Sequence, residues 1–180
     1  MNDTDEGYNF LNVSKDFFGV KPHKRAIEIA NYEFFWNNID ELCPFGSEEG
    51  YIAFIELNDW FIDNPNKPIL DCFKWLLSSW NINLDDYNDE IIEDENVLKI
   101  INDLDFDADL LTLDIGIIAT GFAQLIIQGK IDSEVKNIIH LAILRQINSN
   151  VLDAFLGSNE EWKYERYNYL QILIKILEKA

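Results

Sequence analysis

Tyr32-Glu33-Phe34-Phe35-Trp36-Asn37-Asn38-Ile39-Asp40-Glu41-Leu42-Cys43-Pro44-Phe45-Gly46-Ser47-Glu48-Glu49-Gly50 is the stretch around which the rest of the chain is read. An aromatic triplet closes one helical pattern. Pro44 and Gly46 then rule out a continuous helix and mark a loop. Ser47 is a natural N-cap, and Glu48 and Glu49 put negative charge at the positive end of the helix that follows. From here on apolar residues return every three or four positions.

Upstream, apolar residues at Ala26, Ile27, Ala30 and Phe34 predict a helix from Lys24 to about Phe35. Residues 1–16 are polar and read as a flexible N-terminal arm, leaving 17–180 as one domain. Downstream, a helix is predicted from Glu48 to Asp63, with Trp60 on its apolar side. Asn64-Pro65-Asn66-Lys67-Pro68 is a turn, and a third helix runs to Trp80. Asp85 to Asp114 holds twelve carboxylates against the single Lys99, yet Ile91, Ile92, Leu98 and Ile101 still mark a helix over Asp89–Asn102. Leu110–Gln128 is apolar nearly all round and reads as the central helix, with Gly116 and Gly121 permitting close approach of neighbours. Asp132 caps a sixth helix that Gly157 ends. Ser158 and Glu161 form a capping box for a seventh. No stretch alternates cleanly as a strand. The expected fold is an all-α, single-domain bundle of six or seven helices.

At 180 residues, with 48% hydrophobic and 13% aromatic side chains, the chain is long and apolar enough to bury a core. A net charge of −19 repels nucleic-acid phosphates and anionic membrane surfaces, and favours a basic protein partner or a cation. The longest apolar run, Ile115–Ile127, is too short and too interrupted to span a bilayer. The opening residues lack the basic and apolar regions of a signal peptide, so a cytoplasmic location is expected, with Cys43 and Cys72 as buried thiols rather than a disulfide. Oligomeric state leaves no mark on the sequence.

The candidate binding site is the loop itself. Trp36, Glu41, Phe45, Gly46, Ser47, Glu48, Glu49, Gly50 and Trp60 put carboxylates beside aromatics at a helix N-terminus, a combination that grips a cationic group. The competing reading is structural: Trp36 and Phe45 plug the core, Gly46 takes a shape only glycine tolerates, and Ser47 caps. Asp103, Asp105, Asp107, Asp109 and Asp114 also fall at positions 1, 3, 5, 7 and 12 of a calcium loop. Ala108 stands where the sharp turn wants glycine, and Asp114 is short for bidentate ligation. His23 and His140 have no ligand-spaced neighbours. No phosphate-binding glycine loop, nucleophile elbow or zinc-protease motif is present. No cofactor and no catalytic residue is assigned.

The same loop carries a resemblance. Phe35-Trp36, then Pro44-Phe45-Gly46-Ser47-Glu48-Glu49-Gly50, then Trp60 on the next helix, resembles the signature of the YfeS-like family of small bacterial proteins. Ile118-Ala119-Thr120-Gly121-Phe122-Ala123-Gln124 with Gly129-Lys130-Ile131-Asp132 resembles a second block of it. The family's His-Pro before the first helix is inverted here to Pro22-His23. The resemblance implies a helical fold and carries no reaction with it. A net charge of −19 without a catalytic motif makes the leading expectation a non-enzymatic, acidic protein that engages a basic partner, of which a bacterial immunity-type protein is one form. The alternative is an enzyme or small-molecule binder using the Trp36–Gly50 loop, and a minor one is a Ca2+-binding protein acting through Asp103–Asp114.

Overall fold

The computed structural model describes residues 16–102 and 108–180, with side chains from 112 onward in the second stretch. The expected arm, 1–16, lies outside them apart from Asp16. Eight α-helices are found among the described residues: α1 (Lys24–Ile29), α2 (Glu48–Asp63), α3 (Ile69–Ser79), α4 (Asp94–Asn102), α5 (Ala108–Gln128), α6 (Ser133–Ile147), α7 (Ser149–Leu156) and α8 (Glu160–Lys179). The described residues hold no strand, only one antiparallel bridge between Phe17 and Val20. The fold is all-α, as the periodicity predicts.

Boundaries differ from expectation where side chains compete for backbone groups. The first helix stops at Ile29, not Phe35. The Ala30 carbonyl is occupied by Tyr32 N–H at 2.9 Å and by the Trp36 indole N–H at 2.8 Å, so the α ladder cannot continue. A short 3₁₀ turn, Glu33–Trp36, follows. The helix expected over Asp89–Asn102 is a 3₁₀ turn at Asp89–Ile92 and then α4, because Glu93 is extended. The sixth expected helix is two. Asn148 is non-helical, and its side chain accepts the Asn150 N–H, capping α7 afresh. The cap of α8 is Asn159, whose side chain accepts from Trp162 N–H, and not Ser158.

α5 is the central helix, packed against α1, α2 and α6. Gly121 sits against Ile139 of α6 so closely that a Cβ there would overlap the isoleucine side chain. Gly116, expected to play the same part, has nothing within 4 Å of where its Cβ would stand. Phe17, Phe35, Phe45 and Phe54 meet edge to face, with Phe45–Phe54 centroids 5.7 Å apart, and Phe35 meets Phe122 of α5 in the same way. Arg25 ties α1 to the helix ends, donating to the carbonyls of Gly129, Lys179 and Ala180, where a cation also meets the negative end of a helix dipole.

Cys43 and Cys72 are buried, separate thiols. Burial, with Asp40 adding to it at Cys43, pushes each up to about 12. Trp75 and Trp162 are half exposed. No helix of the described residues is long and apolar enough to cross a membrane.

Candidate functional site

The loop after the 3₁₀ turn is built by short polar side chains. The Asn37 carboxamide oxygen accepts from Ile39 N–H at 2.9 Å and Asp40 N–H at 3.1 Å. The Asp40 carboxylate accepts from Leu42 N–H, and its carbonyl from Cys43 N–H, each at 2.9 Å. Gly46 lies against the Asp40 backbone where any Cβ would overlap the carbonyl oxygen. Gly50 lies against the Pro44 carbonyl in the same way. Ser47 Oγ accepts from Gly50 N–H at 3.1 Å and caps α2. The turn is thus folded tightly back on itself. Phe45 points into the core and Glu41, Glu48 and Glu49 stay on the other side.

That other side is a cleft of about 700 Å³ between the loop, the start of α2, and α7–α8. Among the described residues five carboxylates line it: Asp40, Glu41, Glu48, Glu49 and Glu165. Ile39, Phe155 and Trp162 line it too, 83%, 38% and 52% exposed. Among the described residues Arg166 of α8 is its one cation, only 8% exposed. Its Nη1 donates to the Leu42 carbonyl at 2.7 Å, which pins α8 to the loop. Burial brings this guanidinium down to about 10, although the Asp40 charge acts in the opposite direction. Glu165 accepts a 2.7 Å hydrogen bond from Tyr169 Oη, and burial with that bond raises the phenol above its ordinary range.

Four of the nine expected site residues line the cleft: Glu41, Ser47, Glu48 and Glu49. The other five do not. Trp36 spends its N–H on Ala30 and packs edge-on to Phe17. Phe45 is fully buried, and Trp60 packs against Phe61 farther along α2. Gly46 and Gly50 are needed for backbone closeness. Trp36, Phe45 and Gly46, and Ser47 as the cap of α2, thus take the parts the structural reading gives them. Periodicity missed Arg166, the buried cation of the cleft lining. Its signal was there: Arg166 falls in register with Leu170, Leu173 and Leu177 on the buried face of α8, a lone charge in an apolar stripe.

Asp114 is fully buried on α5 and held by Arg145 and Tyr87, so it is not an outward-facing twelfth ligand of a calcium loop. Asp103, Asp105, Asp107 and the Asp109 side chain lie outside the described residues. Among the described residues, no three His, Cys, Asp or Glu converge to hold a metal ion. Compared with family models, curated proteins and solved structures, the chain matches none.

Proposed function

We propose that this is a cytoplasmic, non-enzymatic binding protein that engages a basic partner through the cleft between the 37–49 loop and α7–α8. The single observation carrying this reading is the make-up of that cleft. Five carboxylates stand beside exposed Ile39, Phe155 and Trp162 on a chain of net charge −19. Aromatic side chains on an otherwise polar surface are the usual anchors of protein interfaces, and a one-signed field speeds association with the opposite charge. Glu41, Glu48 and Glu49 form no ion pair with any described residue, so their charge is free for a partner. An immunity-type protein that neutralises a cationic toxin is one form this takes. Kinship with the YfeS-like family is likewise a proposal, carried by the motif residues alone.

Affinity capture from native lysate at low and at high salt tests the reading. A basic protein retained at low salt and released at high salt is expected. Retention that is indifferent to salt, or confined to acidic proteins, counts against it.

A second reading has the same cleft hold a small molecule, since about 700 Å³ falls within the usual range of ligand pockets, roughly 300–1,000 Å³. A cationic metabolite that displaces the captured protein would favour it.

A further inference from the structure

The position of Arg166 narrows what the cleft accepts. A guanidinium offers five N–H donors. Nη1 of Arg166 serves Leu42, while Nε and Nη2 donate to no described residue, and no described carboxylate forms an ion pair with it. No side-chain nitrogen or oxygen sealed from water lacks a partner among the described residues, so these idle donors of a mostly buried cation are ones the cleft leaves open to solvent. A carbonyl acceptor brought by a ligand would take them over from water.

The surroundings select that acceptor. Five carboxylates line the same cleft, so an incoming carboxylate or phosphate is repelled before it reaches Arg166. A neutral carbonyl oxygen is not repelled. A ligand that supplies carbonyls, cations for Glu41, Glu48 and Glu49, and apolar groups for Ile39, Phe155 and Trp162 is an extended peptide, in which successive side chains point to opposite sides.

We propose that the cleft takes a lysine- or arginine-bearing peptide segment, with Arg166 donating to one of its main-chain carbonyl oxygens. This rests on the basic-partner reading above and specifies where and how the partner is held.

The probe is an acetylated and amidated hexapeptide of alternating lysine and leucine, titrated by calorimetry at several salt concentrations. Its glutamate–leucine counterpart serves as the control. The lysine peptide is expected to bind and the glutamate peptide not. Glu48→Gln/Glu49→Gln weakens binding about tenfold and flattens its salt dependence, as loss of charge contacts requires. Asp85→Asn/Asp86→Asn removes the same charge from an exposed site outside the cleft and changes affinity less than about twofold. Arg166→Gln is the discriminating variant. Removing a cation makes the cleft more negative, so if Arg166 acted through charge alone, the lysine peptide would bind more tightly. Loss of a charged donor to a carbonyl instead weakens binding by about tenfold or more. Thermal unfolding checks that the variant folds, and Arg166→Lys is read in its place if it does not.

Tighter or unchanged binding by the Arg166 variant overturns the carbonyl contact. Equal losses from the Asp85/Asp86 and Glu48/Glu49 pairs overturn the cleft as the site while leaving the basic-partner reading standing. Failure of the lysine peptide to bind overturns this proposal, and the salt-sensitive capture decides whether the broader reading falls with it.

Discussion

Asp114 of α5 and Arg145 of α6 are joined by two parallel hydrogen bonds of 2.7 Å, both side chains sealed from water. Tyr87 Oη donates a third at 2.7 Å, and Gln146 Nε2 a longer one at 3.3 Å. The guanidinium also lies 5.4 Å from the Tyr87 ring centre. Burial alone would lower Arg145, but the Asp114 charge outweighs it and holds the guanidinium above its ordinary range. For Tyr87, burial and the same carboxylate act together and raise the phenol. The pair clamps the central helix to its neighbour. Asp114→Asn leaves a buried cation without its counter-charge and is expected to cost about 3–5 kcal/mol in urea unfolding. Asp114→Leu with Arg145→Met removes both charges and should lose much less. Equal losses in the two variants would show that packing, not charge balance, holds the site.

The glycines divide into two kinds. Gly46→Ala forces a methyl onto the Asp40 carbonyl oxygen, a backbone atom that cannot yield without opening the loop. A loss of more than about 2 kcal/mol is expected, with the cleft disturbed as well. Gly116→Ala meets nothing within 4 Å in the middle of α5, and should stabilise by up to about 1 kcal/mol through helix propensity. Thermal unfolding of the two variants should move in opposite directions.

Phe45 belongs to the aromatic cluster and not to the cleft. Phe45→Ala is expected to cost about 3–5 kcal/mol. The milder Phe45→Leu, kept well below its unfolding temperature, should leave affinity for a lysine peptide unchanged. An affinity loss in a folded Phe45→Leu protein would return Phe45 to the binding residues.

Alkaline stability follows from the thiols. Cys43 and Cys72 stand near 12 in the folded chain, against about 8.5 for a free thiol. Between those values the unfolded thiol has lost its proton while the folded one keeps it. The stabilisation is therefore complete below the unfolded value and is lost as pH rises toward 12, at about 1.4 kcal/mol per pH unit for each thiol. Tyr87, raised by burial, adds loss of the same sign above about pH 10. Arg166, brought down to about 10, works oppositely: its penalty at neutral pH is relieved above that value. Denaturant midpoints should fall steadily from pH ~9 upward, and less steeply in a Cys43→Ala/Cys72→Ala protein. Identical slopes in the two proteins would contradict this account.

That Glu41, Glu48 and Glu49 line the cleft was legible because a carboxylate beside a cap stays on the surface almost wherever the helices go, and Ser47 because it is the cap itself. Trp36 and Phe45 misled because an aromatic beside an acid looks the same whether its ring faces a ligand or a core. Ser158 misled because Asn159, next to it, competes for the same capping role.

The chain's own order of residues determined its helices, its central apolar α5 and its anionic exterior, since each depends on neighbours within a few positions: the 3.6-residue repeat, a cap, a turn. Only the tertiary structure decided that Leu42 and Arg166, 124 positions apart, share one hydrogen bond, and that Asp114 faces Arg145 and not solvent. Contacts at such separation are set by how whole helices pack. Local spacing carries no record of which distant side chain will arrive.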